Sequence, residues 1–212
     1  MSLTGDQTTS AATPDVALPD EERLRAQVYA LLARLLAQPP GPEVLGILAA
    51  VQGAAEDDAP LGAAFTALAS AARATDAGAV AEEYGALFIG VGGGELSPYG
   101  SYYKTGFLNE KPLAELRADM ARLGIARADD VHEPEDHIAA LCEMMAGLIT
   151  GAFDEAATLH GQRAFFERHV AGWAERFFTD LEAAPSARFY RAVGALGRTF
   201  FAVEGQAFDL AA

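Results

Sequence analysis

The stretch from His132 to Leu148 reads HEPEDHIAALCEMMAGL. Leu141, Met144 and Leu148 recur in it at helical spacing, and His137 begins the same face. That period, rather than the alternation of a half-buried strand, makes the segment a helix. Pro134 suits a first helical position, since its missing N–H would be unpaired there anyway. The expected helix therefore starts at Pro134, with Glu135 and Asp136 in the first turn, beside free N–H groups and the positive end of the dipole. Four acids and two histidines sit in or near the mouth of this apolar run. They serve as a helix cap, metal ligands, an acid/base pair or a dock for a cationic partner.

Working outward, the same period dominates. Leu24, Val28, Leu31, Leu32 and Leu35 recur behind Asp20, which reads as an N-cap, and Pro39–Pro40 ends that helix. Further helices are expected over Pro42–Val51, Leu61–Arg73, and from Ala77 through Tyr84, Leu87 and Phe88. Residues 89–106, IGVGGGELSPYGSYYKTG, read as an irregular loop. A helix resumes at Lys111–Pro112 and stops before Gly124. A long one is expected from Gly161 to Leu181, with Phe165, Phe166, His169, Val170, Trp173, Phe177 and Phe178 inward. The last carries Phe189, Tyr190, Val193, Leu196, Phe200 and Phe201. The expected fold is all-α, a single-domain bundle of seven to nine helices spanning residues 20–204. Mobile tails are expected at 1–19 and 205–212.

Composition narrows the function. Of 212 residues 51% are hydrophobic and 21% charged, enough apolar material for one sizeable core. A formal net charge of −15 argues against nucleic acid, which needs clustered Lys and Arg. It favours a basic partner. The single cysteine, Cys142, lies among Leu141, Met144 and Met145 and reads as a buried, inert thiol. No run of 18 apolar residues occurs, so no membrane span is expected, and the polar first twenty residues do not read as a secretory leader. The reading places the chain in the cytoplasm.

Each chemical reading of the acid-rich mouth has a rival. A buried His beside an Asp is most often a structural hydrogen bond. Zinc sites on a helix use two histidines four residues apart, whereas His132 and His137 are five apart with Pro134 between them. A metal-dependent hydrolase would have to use Asp136, His137 and Glu143, and no nucleophile is apparent. Gly92–Gly94 lacks the Gly-Lys pair of a phosphate-binding loop and reads as flexible. Acids at a helix mouth beside an aromatic, glycine-rich loop are suited to guanidinium groups, through charge-assisted hydrogen bonds. A plain helical adaptor is the remaining rival.

Four segments also carry a likeness: YGALFIG, SPYGSYY, EPEDHIAALCEMM and the block from Gln162 to Phe201, in that order. They resemble the TorD/DmsD/NarJ family of cytoplasmic redox-enzyme maturation chaperones over roughly Leu24 to Val203. Glu133, Pro134, Asp136 and His137 match that family's E-P-x-D-H element. The resemblance implies an all-helical chaperone without enzymatic activity. It would bind an apo-molybdoenzyme, the catalytic subunit of a molybdopterin oxidoreductase, with its twin-arginine signal peptide. It would hold that client in the cytoplasm until the molybdenum cofactor is inserted, before export. The resemblance also implies a monomer or a dimer that exchanges helices, and weak guanine-nucleotide binding for which no motif is visible here; no cofactor is expected. Carried over by position, the implied client surface is Tyr84, Phe88, Pro98, Tyr99, Ser101, Glu133, Pro134, Asp136 and His137. Tyr84 and Tyr99 stand where relatives often carry Trp.

Overall fold

The computed structural model describes residues 18–51, 60–90, 93–128, 131–153 and 155–211. Among them the chain forms ten α-helices: α1 Asp20–Ala37, α2 Pro42–Ala50, α3 Pro60–Arg73, α4 Ala77–Tyr84, α5 Gly100–Thr105, α6 Lys111–Arg122, α7 Ile138–Thr150, α8 Leu159–Phe166, α9 Ala174–Ala183 and α10 Phe189–Leu210. The nearest approach to a sheet among the described residues is an isolated antiparallel bridge between Tyr99 and His137. α1 packs along α7, and α10 packs on α9, α3 and α1. Tyr29, Leu32, Leu35, Met145, Phe177, Phe178, Tyr190 and Leu196 are fully enclosed between them.

Local chemistry sets most boundaries. The Asp76 carboxylate accepts the N–H groups of Gly78 and Ala79 at 2.9 and 3.0 Å and opens α4. Proline sits at the start of α2 and α6. Gly151, at φ +77°, closes α7 in the left-handed conformation that side chains resist. α10 is capped from another helix: Glu83 of α4 accepts the N–H groups of Arg188, Phe189 and Tyr190 at 2.8, 3.1 and 2.7 Å.

Several expectations change. Asp20 is the first helical residue and Pro19 occupies the cap position, without a side-chain bond. The loop expected over 89–106 contains α5, and a π-helical turn, Gly85–Ile89, prolongs α4. The long helix expected from Gly161 to Leu181 is two, because a π-helical turn at Glu167–Ala171 leads to Trp173, whose φ of −153° leaves the helix. The Trp173 ring stays inside, with its Nε1 donating to the His169 carbonyl at 2.8 Å. Periodicity reported which side chains point inward there, not whether the backbone ladder is continuous. These breaks lift the helix count above seven to nine. α10 reaches Leu210 with Phe208 buried, so the stretch from 205 is helix and not tail. The expected N-terminal tail lies, as far as residue 17, outside the described residues, while Leu18 packs against the core. No described helix is long and apolar enough to cross a membrane.

Candidate functional site

Two loops tie a knot at the start of α7. The N–H of Gly100 donates to the Asp136 carbonyl and that of Ile138 to the Pro98 carbonyl, both at 2.9 Å. The Asp136 carboxylate accepts the Ser101 N–H at 2.6 Å. Tyr99 donates its hydroxyl to Glu133, and its ring meets the edge of His137 at 5.2 Å. This pairing competes with helix formation. Glu135 and Asp136 form a turn, and α7 begins at Ile138 instead of Pro134, with His137 as N-cap.

His137 Nδ1 accepts the Ala139 N–H at 3.1 Å, which leaves the ring proton on Nε2. Burial drives its pKa down to about 4 against the opposing pull of Glu133 and Asp136, so the ring is neutral near pH 7. The structural hydrogen bond expected between His137 and its neighbouring Asp is thus a backbone cap. Asp136 itself is 3% exposed, and among the described residues its Oδ1, like Ser101 Oγ, makes no hydrogen bond.

Beside the knot opens a cleft of about 1270 Å³ between α1 and α7. Its long walls are small residues at helical spacing: Ala26, Ala30, Ala33 and Ala37 from α1, and Ala139, Ala140, Ala146 and Gly147 from α7. Tyr84, Phe88, Ile89, Pro98 and Tyr99 form an aromatic part of the lining, with Met120, Ile125 and Phe153 elsewhere on it. Tyr84 is held firmly: its hydroxyl donates to the Leu36 and Ala37 carbonyls, and its ring packs on Phe88 and Tyr190 at 4.9 and 5.8 Å.

Charge on the cleft is unevenly satisfied. Burial favours protonation of Glu135, but the Arg117 guanidinium at 2.7 Å, with Arg127 at 3.6 Å, outweighs it and holds the carboxyl below its usual range. Glu133 is exposed at the aromatic end and, among the described residues, bonds only the Tyr99 hydroxyl. Burial and that carboxylate push the Tyr99 phenol well up, so it remains a donor.

The structure therefore brings the nine sequence-picked residues together, but not on one surface. Glu133, Pro134, His137, Pro98, Tyr99, Tyr84 and Phe88 line the cleft, while Asp136 and Ser101 lie behind its wall. Asp136, read from sequence as a contact for arginine, instead holds the wall together. Glu143, one of the four acids read as cap, metal ligand, acid/base group or cationic dock but not among the nine picked residues, does line the cleft. The alanine stripe of α1 went unread, although its spacing of three and four was visible. Among the described residues no three of His, Cys, Asp and Glu gather as a metal site, so the Asp136/His137/Glu143 hydrolase finds no geometric support.

Residues 54–179 match the model of the family described as nitrate reductase delta subunit. The chain belongs to that family, the TorD/NarJ family. The matched delta-subunit span contains the knot and the α7 wall but not α1. Within the family, the chain is 31% identical over 121 residues to the chaperone protein TorD of Photobacterium profundum, covering 53% of this chain and 56% of that protein. It is 29% identical over 125 residues to the chaperone protein TorD of Aliivibrio fischeri, covering 55% and 58%. The chain's matches thus span about half the length of these curated relatives. A crystal structure from Archaeoglobus fulgidus, provisionally named a redox enzyme maturation protein, superposes with a TM-score of 0.55 at 19% identity, over 84% of this chain and 94% of that one. At that identity the likeness shows the fold alone.

Proposed function

We propose that this chain is a maturation chaperone, not an enzyme, for a molybdenum-containing redox enzyme. It binds the client's twin-arginine leader in the cytoplasm and keeps the catalytic subunit from export until its cofactor is inserted. The α1–α7 cleft takes the apolar run of the leader, and Glu133 takes an arginine ahead of it. The observation that carries this reading is an apolar cleft of about 1270 Å³ with a carboxylate, Glu133, presented to it and paired with no cation among the described residues. An amphipathic segment laying its apolar face into such a groove is a common mode of peptide recognition. The net charge of −15 supports the choice of a cationic partner, since it speeds encounter and makes it sensitive to salt.

Calorimetry tests the reading with a synthetic leader, two adjacent arginines followed by an apolar run. Wild type should bind it, more weakly as salt rises. Glu133→Gln should weaken binding about tenfold, the scale of one charged hydrogen bond. Replacing both arginines by lysines should also lower affinity, because lysine lacks the planar fork that matches a carboxylate. Absence of binding by wild type contradicts the proposal, and indifference to the lysine swap points instead to a plain adaptor.

A further inference from the structure

We infer that Glu143 is a second guanidinium receptor of the cleft, taking one arginine of the leader while Glu133 takes the other. This rests on the function proposed above and names the partner group of a residue that the sequence did not assign to it.

A segment with two adjacent cations needs two available carboxylates. Asp136 was the expected second acid, yet it is buried, bonded to the Ser101 N–H, and absent from the cleft lining. Glu135 is consumed by Arg117 and Arg127. Glu143 lines the cleft on the same α7 face as Ala140, Met144 and Gly147. It makes no hydrogen bond or ion pair within the described residues, in contrast to Glu135 and Glu133. Burial alone raises its pKa, with no charged neighbour contributing. Glu143 is exposed on the cleft wall, where a ligand cation can reach it.

The chemistry of the site favours guanidinium over ammonium. Arginine is the more weakly hydrated cation and gives up water more readily beside Ala140 and Met144. His137 adds an independent sign of a ligand. It is 8% exposed, lines the same cleft, and its Nε2–H has no partner among the described residues, ready to donate to a carbonyl of an extended backbone. Six residues of helix carry Glu143 about 9 Å beyond this cap, at 1.5 Å per residue. Successive side chains of an extended peptide point to opposite sides. Adjacent arginines are therefore suited to two separated acids and not to one shared acid.

The test uses the full chain and four synthetic leaders: both arginines intact, the first replaced by neutral citrulline, the second replaced, and both replaced. Affinities are measured for wild type, Glu133→Gln and Glu143→Gln, with circular dichroism to confirm the fold. The inference predicts that Glu143→Gln lowers affinity for the intact leader about tenfold. It also predicts that the same variant becomes indifferent to citrulline at one of the two positions, and Glu133→Gln at the other. If wild type discriminates arginine from citrulline and Glu143→Gln does so equally at both positions, the inference is overturned while the proposed function stands. If wild type binds none of the leaders, the function fails and the inference falls with it.

Discussion

The Asp136 carboxylate holds the backbone N–H of Ser101 at 2.6 Å, with both residues buried. This bond joins the two loops that position Tyr99, Glu133 and His137. Asp136→Ala would leave the Ser101 N–H unsatisfied in the interior and should cost about 1–3 kcal/mol in urea unfolding. Asp136→Asn keeps an acceptor oxygen and should cost less. Because Asp136 does not line the cleft, the Asn variant should bind leader peptide as wild type does. A folded Asn variant with a selective loss of binding would return Asp136 to the contact surface.

Glu83 is the structural counterpart at the other end of the aromatic wall. Its two oxygens accept three successive N–H groups that open α10, and Tyr190, the third donor, packs on Tyr84 and Phe88. Glu83→Ala should destabilise the chain by about 1–3 kcal/mol, and Glu83→Gln by less. Denaturant titration separates the two, and equal stability of all three forms would deny the cap.

Arg25, partly buried, pairs with the buried Glu204 and ties α1 to α10. Nε and a terminal nitrogen of Arg25 reach the two Glu204 oxygens at 2.7 and 2.8 Å, Tyr29 donates to the same carboxylate at 2.9 Å, and the guanidinium lies 5.1 Å from the Phe208 ring. Arg25→Ala strands a buried charge and should cost about 3–5 kcal/mol, whereas the double variant Arg25→Met with Glu204→Leu should recover part of that loss. Additive losses in thermal or urea unfolding would contradict the pairing.

His137 makes stability depend on pH. Its pKa is about 4 in the fold, below the ordinary 6.5. Above pH 6.5 the ring is neutral folded or unfolded, and its contribution is fully present. As pH falls from about 6.5 towards 4 the unfolded chain takes a proton that the fold refuses, so stability declines, by up to about 3 kcal/mol once pH is below both values. Asn offers a capping oxygen without titrating, so His137→Asn should flatten this part of the profile. Urea midpoints at pH 7 and pH 5 give the comparison, and parallel profiles would show that His137 does not titrate this way.

The helices were legible because burial follows period: Leu24 was the one exposed member of the stripe read for α1, and the seven residues read as inward between Phe165 and Phe178 are all buried. What period cannot report is backbone competition. Nothing in EPEDH discloses that Gly100 bonds its Asp136 carbonyl and Pro98 the following Ile138 N–H, from more than thirty residues away, and that α7 starts four residues late. The same blindness affected Asp136 and Glu143. Of the two acids in the recognisable motif, Asp136 is structural and Glu133 faces the cleft, as does Glu143 in the apolar run, a distinction that only the packed structure makes. Alanines 26, 30, 33 and 37 looked like ordinary helix formers, and only the packed pair shows that they line a cleft.

The claim that a cationic, apolar leader lies between α1 and α7 is tested most directly by amide hydrogen exchange with and without the synthetic twin-arginine peptide. Protection should rise over residues 26–38 and 133–147 and be unchanged in α2 and α3, remote from the cleft. Binding that instead protects α2 and α3, and leaves α1 and α7 exchanging as before, would contradict it.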